Sequence, residues 1–276
     1  MTPPAEQLLK DKIRQVWRET LLLHRRAPET RLASSLSCIE ILVALYYGGI
    51  LKFNPEQPQW EGRDRFVVSK GHGSISLYPI LADLNFFPTS ELEKIGQAGS
   101  FLGSIPDPVI PGYETINGSL GHGLGVGCGM AVGLKRKQSS SQIFVLAGDG
   151  ELYEGSNWEA IMFAAHHRLD NLTLIVDHNK ISMLDFCAEI IDHSPLAEKF
   201  KAFGWMTEDV DGHNIKQVQA TLSEFRDIRN GQPKVIIAHT IKGKGAGALE
   251  NDKLSHIKSL THAQIDILLE ANNDSN

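Results

Sequence analysis

Asp149 stands between two glycines, in Gly148-Asp149-Gly150, directly after the apolar run Ile143-Phe-Val-Leu-Ala147. Thirty positions on, Asn179 follows a second apolar run, Leu172-Thr-Leu-Ile-Val176, within Asp177-His178-Asn179-Lys180-Ile181. The glycines let the backbone turn tightly and approach a ligand closely. A β-α-β unit takes roughly 30 residues, so the spacing predicts that carboxylate and amide stand at neighbouring strand ends. Together they offer oxygen ligands for a hard cation, Mg2+ or Ca2+, which completes its shell with phosphate and water. The competing role for Asp149 is to cap the helix that follows, a position for which Asp is a preferred type.

Such ends must be presented by a sheet. Runs with strand composition lie at Arg65–Ser69, Gln142–Ala147, Asn171–Asp177, Met206–Val210 and Lys234–Thr240. Several are nearly continuous Val, Ile and Leu, as in strands covered on both faces. Helix-periodic stretches alternate with them: Ala5–Arg26, Cys38–Tyr47, Ile75–Leu84, Ser119–Lys137, Trp158–Arg168, Ile215–Asn230 and Ala263–Ala271. That alternation predicts an α/β fold, three-layer α/β/α with a mainly parallel sheet, whose ligands bind at the carboxyl ends of the strands. Two loop-rich stretches, Asn54–Gly62 and Gly99–Gly118, interrupt the pattern without a dividing linker. Residues 1–276 therefore read as one domain with loop insertions and a polar C-terminal tail.

Composition narrows the classes further. Of 276 residues, 42% are hydrophobic and 22% charged, which excludes a disordered chain or a fibre. Twenty-seven basic residues against 33 acidic leave a formal charge of −6, so no nucleic-acid partner is expected. The longest apolar run, Cys38–Leu51, is broken by Glu40 and is shorter than the roughly 18 residues of a membrane span. The start, Met1–Glu6, lacks the layout of a signal peptide. Cys38, Cys128 and Cys187 are odd in number and widely spaced, as expected of reduced thiols in a cytosolic protein.

Four blocks then line up with one family. Asp64-Arg-Phe-Val-Val-Ser-Lys-Gly-His-Gly73, Gly118-Ser-Leu-Gly-His-Gly123, Gly148-Asp-Gly150 with Glu154-Gly155, and His239-Thr-Ile-Lys-Gly-Lys-Gly245 resemble successive blocks of transketolases. They come in the family's order and span nearly the whole chain. The likeness is greatest to the amino-terminal half of the two-gene, bacterial-type enzymes. It implies the thiamine diphosphate-binding fold, with thiamine diphosphate and Mg2+ (or Ca2+) as cofactors. It implies that Asp149, Asn179 and the carbonyl of Ile181 bind the metal, and that His72, Gly118, Ser119, Leu120, Gly150, Asn179 and His256 contact the cofactor. His72 and His256 are the catalytic candidates. As residues alone, His72 could satisfy a buried carbonyl, and His256 could be an ordinary surface histidine. Glu154 carries either a family role in coupling active sites or a first-turn charge.

The chain also departs from that pattern. Arg31, in Thr30-Arg31-Leu32-Ala33-Ser34, occupies the place of a substrate-facing histidine, and Ser104 that of a second. His122 replaces a customary glutamine. Arg31, Ser104 and His122 are therefore candidate substrate residues, and the usual sugar-phosphate donor is in question. The implied reaction takes a ketol or acyl fragment from a small carbonyl donor to an aldehyde acceptor. An alternative is a thiamine-dependent 2-oxo acid decarboxylase or carboligase subunit, since Arg31 suits a carboxylate. Another is a non-catalytic partner-binding paralogue. In the family the glutamate that activates the cofactor's pyrimidine lies in the following, pyrimidine-binding domain. The resemblance thus implies a partner, a carboxyl-terminal transketolase-like subunit, in an α2β2 assembly. The Gly121–Gly133 run lacks a dinucleotide fingerprint, Gly243–Gly247 lacks the Lys-Ser/Thr of a P-loop, and no Cys/His zinc spacing occurs. Met183 and the scattered aromatics read as core.

Overall fold

The computed structural model describes residues 6–273. The expected strands form one parallel sheet in the order β1-β2-β3-β5-β4. They are β1 (Arg65–Val68), β2 (Ile143–Gly148), β3 (Leu172–His178), β4 (Met206–Asp211) and β5 (Lys234–His239). Side chains along β2 alternate between the two faces. Phe144 and Leu146 enter one apolar cluster with Ile175 and Ile236. Ile143, Val145 and Ala147 enter the other with Leu174 and Ile237. Both faces of β2, β3 and β5 are thus covered, which accounts for their unbroken apolar runs. β4 is an edge strand, and its Glu208 and Asp209 are exposed.

Helices α1 (Glu6–Arg26), α3 (Ile39–Tyr47) and α9 (Ile215–Asp227) cover the first face. α1 carries Glu6 in its first turn and His24, Arg25 and Arg26 in its last, charges that suit the helix dipole. α3 is buried from Ile39 to Tyr46, as an all-round apolar helix should be. The second face takes α5 (Gly123–Arg136), α6 (Gly155–His166) and α8 (Leu196–Ala202). Gly127 lets α5 lie close to the sheet: a Cβ there would come within 2.7 Å of Val145 Cγ2.

Several boundaries differ from expectation. α5 starts at Gly123, not Ser119, because Gly118 and Gly121 adopt φ of +102° and +86°, outside helical space. The segment expected as one helix from Ile75 opens as a 3-10 turn, Gly71–Ser76, and becomes α4 at Leu77–Asp83. α2 (Leu32–Leu36), α7 (Cys187–Ile190) and α8 went unmarked in the sequence, and each is too short to show a 3.6-residue period. The last helix, α10, runs His262–Asn273, and residues 274–276 of the expected tail lie outside the described residues. Among the described residues no helix is long and apolar enough to cross a membrane.

Candidate functional site

Gly148 of β2 pairs in register with Asp177 of β3, so Asp149 and Asn179 emerge from adjacent strand ends. Asp149 makes the cap and still faces the crevice. Its Oδ1 accepts the Gly150 N–H at 2.8 Å and caps the 3-10 turn Gly150–Tyr153. Its Oδ2 accepts the Lys180 N–H at 2.5 Å and lies 3.2 Å from His178 Nδ1. Lys180 holds φ +65°, a left-handed turn that brings Asn179 and Ile181 to the same side. Asn179 Nδ2 donates to Asp177 Oδ2 at 3.3 Å, while its Oδ1 accepts the Ile181 N–H at 3.2 Å. The amide oxygen is therefore assigned by two partners.

These groups line one crevice of about 90 Å3 together with His72, Leu120, Gly150 and His256. One water needs only about 10–15 Å3 on that measure, so the crevice has room for an ion with its nearest ligands. The rings of His72 and His256 meet edge to face, their centroids 5.1 Å apart. Ser34 Oγ, on α2, lies 3.1 Å from His256 Nδ1. Burial, reinforced by Lys242, the His72 ring, Arg31 and Lys70, pushes His256 down to about 3. Burial lowers His72 too, with Arg31, Lys70 and Lys242 adding to the effect. Two neutral imidazoles thus face the crevice near pH 7.

Three further residues escaped the sequence reading. Lys70 follows β1 and forms a buried ion pair with Asp177, and it also donates to Ser34 O at 2.8 Å. Burial opposes its charge, yet Asp177 keeps the Lys70 pKa above its ordinary value. Lys242 follows β5, and its Nζ donates to the carbonyls of Ile181 and Ser182, each at 2.8 Å. Burial, with Lys70 nearby, lowers Lys242 to about 8, against the pull of Asp149 and Asp177. Glu151 accepts from Ser69, from Gly121 N at 3.0 Å and from Gly148 N at 3.3 Å, tying three loops of the rim. The sequence signal for both lysines is their position just beyond strand ends, inside the motif blocks that also carry His72 and Gly243.

Other candidates stand apart from the crevice. Gly118 packs on the turn that carries His72; a Cβ on Gly71 would come within 2.7 Å of Gly118 N. Ser119 is exposed. His122 is exposed as well, its Nδ1 3.1 Å from Leu120 O, and it lines a separate groove between α5 and α6. Ser104 is half-buried in a loop whose Ile105 abuts Gly118. Arg31 precedes α2, and its charge acts on both crevice histidines. Glu154 is exposed at the start of α6 and makes no side-chain cap. Met183 corrects the core reading: it is 55% exposed and lines the crevice, because the tight loop after Ile181 turns it outward. Trp60, Phe163 and Phe186 are exposed aromatics for which the core reading fails likewise.

The donor set suits a metal bound together with an anion. Asp149, Asn179 and the Ile181 carbonyl offer hard oxygens of the kind such a cation takes, each with a lone pair to spare. Among the described residues no group of three or more His, Cys, Asp and Glu is placed to hold a metal. One carboxylate, one amide and one carbonyl therefore need an anionic ligand to complete the shell, and Lys242 and His72 line the same crevice to receive it. Residues 29–272 match the family described as transketolase, thiamine diphosphate binding domain. The chain belongs to the transketolase family.

Among curated transketolase relatives, the chain is 39% identical over 228 residues to the 6-deoxy-6-sulfo-D-fructose transketolase subunit of a Clostridium species, covering 82% of each chain. It is 36% identical over 264 residues to an apulose-4-phosphate transketolase subunit from Actinobacillus succinogenes, covering 95% of each. The crystal structure of Campylobacter jejuni transketolase superposes with a TM-score of 0.90 at 30% identity. That likeness takes in 98% of this chain but 43% of the Campylobacter one, so the chain spans less than half of that transketolase's length. Its parallel sheet and flanking helices are thus the thiamine diphosphate-binding module of a transketolase-family transferase.

Proposed function

We propose that the chain, as one domain, is the diphosphate-binding subunit of a two-component transketolase-like enzyme. The observation that carries this reading is the in-register pair of strand ends, which sets Asp149, Asn179 and Ile181 on one crevice with His72 and His256. Asp149, Asn179 and the Ile181 carbonyl hold Mg2+ or Ca2+. Gly150, His72 and Lys242 receive the diphosphate, while Leu120 and the turn through Gly118 and Ser119 abut the cofactor. Thiamine diphosphate, when bound, supplies the carbon nucleophile for breaking and remaking a carbon–carbon bond. His256, its Nδ1 engaged by Ser34, keeps Nε2 for a hydrogen bond to the substrate. Its low pKa makes it a neutral partner rather than a cation. The fragment passes from a small carbonyl donor to an aldehyde acceptor.

Arg31 favours a second reading of the donor, a 2-oxo acid, because its permanent charge is felt at both crevice histidines. A non-catalytic paralogue is disfavoured by the intact oxygen set. The partner is a carboxyl-terminal, pyrimidine-binding subunit, in an α2β2 assembly with the cofactors between subunits. Two things support it: relatives are named as subunits, and an apolar rim is exposed near the crevice, formed by Met183, Leu184, Phe186, Ile190 and Ile191. Three free, buried cysteines fit a cytoplasmic site of action.

Asp149→Asn tests the metal site. The amide keeps an acceptor for the Gly150 N–H but removes the charge that a hard cation needs. Calorimetry of the assembled complex with Mg2+ and thiamine diphosphate is expected to show affinity lowered by more than about tenfold, on the scale of 10–100-fold losses seen around metal sites. Undiminished affinity overturns the assignment.

A further inference from the structure

The turn after β4 makes no contact with the crevice, yet it grips the segment that delivers Lys242. Asp211, the last residue of β4, pairs with His239 of β5. Gly212 N donates to His239 O at 2.8 Å, and a Cβ at Gly212 would come within 2.4 Å of Thr240 Cγ2. The turn therefore lies flat on the end of β5. His213 then aims its ring at the next peptide, and its Nε2 accepts the Ile241 N–H at 2.8 Å. A neutral imidazole that accepts on one nitrogen carries its proton on the other. That proton sits on Nδ1, 3.2 Å from Glu40 Oε2 of α3. Both atoms are buried and neither makes a hydrogen bond among the described residues, so the carboxylate faces that nitrogen at ion-pair distance without a hydrogen bond's geometry. On the far side of Lys242, Gly243 N donates to Ala33 O at 2.9 Å.

We propose that His213, whose tautomer is set by accepting the Ile241 N–H while Glu40 faces its other nitrogen, is a positioning residue: it fixes the Ile241 amide and so sets where the Lys242 ammonium meets the anionic head of the cofactor. This rests on the functional reading above. A lysine stem has many rotamers to lose when ordered, so a backbone pinned on both sides is what makes one placement persist. Small misplacements near reacting groups are costly: about 1 Å can lose about 100-fold in rate.

Two variants of the full chain test it, His213→Leu and His213→Gln, the second presenting an amide oxygen near the place of Nε2. In the cofactor-free chain, His213→Leu should speed hydrogen exchange at Ile241–Gly243 about tenfold, the scale of one lost hydrogen bond. Exchange in β3 and β5 should be unchanged. Once the partner subunit is present, calorimetry should show thiamine diphosphate and Mg2+ bound about tenfold more weakly, and His213→Gln should recover most of both effects. The proposal is overturned by unchanged exchange at Ile241, by faster exchange across the whole sheet, by undiminished affinity, or by a glutamine variant that rescues nothing. A wild-type complex that binds no thiamine diphosphate overturns the functional reading instead, and exchange at Ile241 still decides whether His213 is the brace.

Discussion

On the functional reading proposed above, Arg31 is the residue whose identity most alters what the site accepts. It brings a permanent charge and a planar fork of donors to a place where transketolases carry a titratable ring. Its charge, with burial, helps hold His72 and His256 neutral. On that reading an anionic group on the donor meets the field of one cation beside two neutral hydrogen-bonding rings. The assembled enzyme is expected to turn over ordinary ketose phosphates poorly and to prefer a donor with a carboxylate or another altered group. Arg31→His should shift the preference back toward ketose phosphates. A coupled donor screen measures both. Turnover of xylulose 5-phosphate by the wild type at roughly 1–1000 per second, the ordinary range for enzymes, overturns this role for Arg31.

The elements that carry the site are joined by one buried ion pair. Lys70, beyond β1, passes Gly148 at the end of β2, where a Cβ would come within 3.6 Å of its stem, and reaches Asp177 on β3. Ser37 donates to the same carboxylate at 2.6 Å from the turn between α2 and α3, and Thr240 donates to it from beyond β5. Lys70→Met leaves the carboxylate buried without its cation, a change that costs about 3–5 kcal/mol. Denaturant unfolding should show that loss, and adding Asp177→Leu should recover much of it. A loss below about 1 kcal/mol, the ceiling for ordinary surface pairs, would sink the structural role. Burial alone would raise the Asp177 pKa, but Lys70, Ser37 and Thr240 hold it below the usual carboxylate range. Its stabilising contribution is therefore complete above about pH 4, the unfolded value, and disappears as pH falls through the folded one. The acid limb of the stability profile should flatten in the double variant.

At the scale of the whole molecule, one wall of the crevice is built and the surface beside it is apolar. Met183, which lines the crevice, is 55% exposed, and on the groove of α5 and α6 Val126 and Phe163 are each 42% exposed. Obligate interfaces bury about 2,000–5,000 Å2 and are more apolar than ordinary surface, which is the kind of contact these faces suit. Purified alone with Mg2+ and thiamine diphosphate, the chain should show no turnover with any donor in the screen. Activity should appear when the carboxyl-terminal subunit is added, with a mass matching two copies of each. Full activity without that subunit refutes the two-component reading.

Legibility followed distance along the chain. The sheet showed itself because covered parallel strands need unbroken apolar runs, and the oxygen pair because Asp149 and Asn179 end strands one crossover apart. The motifs around His72, Gly150 and His256 named the groups that the structure gathers on one crevice. Patterns of that kind say nothing about which side chains meet across the fold. Ser34 reaches His256 over 222 positions and Lys70 reaches Asp177 over 107, contacts set by packing rather than by period. The same holds for His122, turned to another groove by two left-handed glycines, and for Met183, turned out of the core by a tight loop. Local periodicity revealed the sheet, the resemblance of four motif blocks revealed the family, and a single crossover placed Asp149 and Asn179 at neighbouring strand ends. That Lys70, Lys242 and His213 stand behind those oxygens came from packing, because their partners, Asp177, the Ile181 and Ser182 carbonyls and the Ile241 amide, lie 107, 61, 60 and 28 positions away.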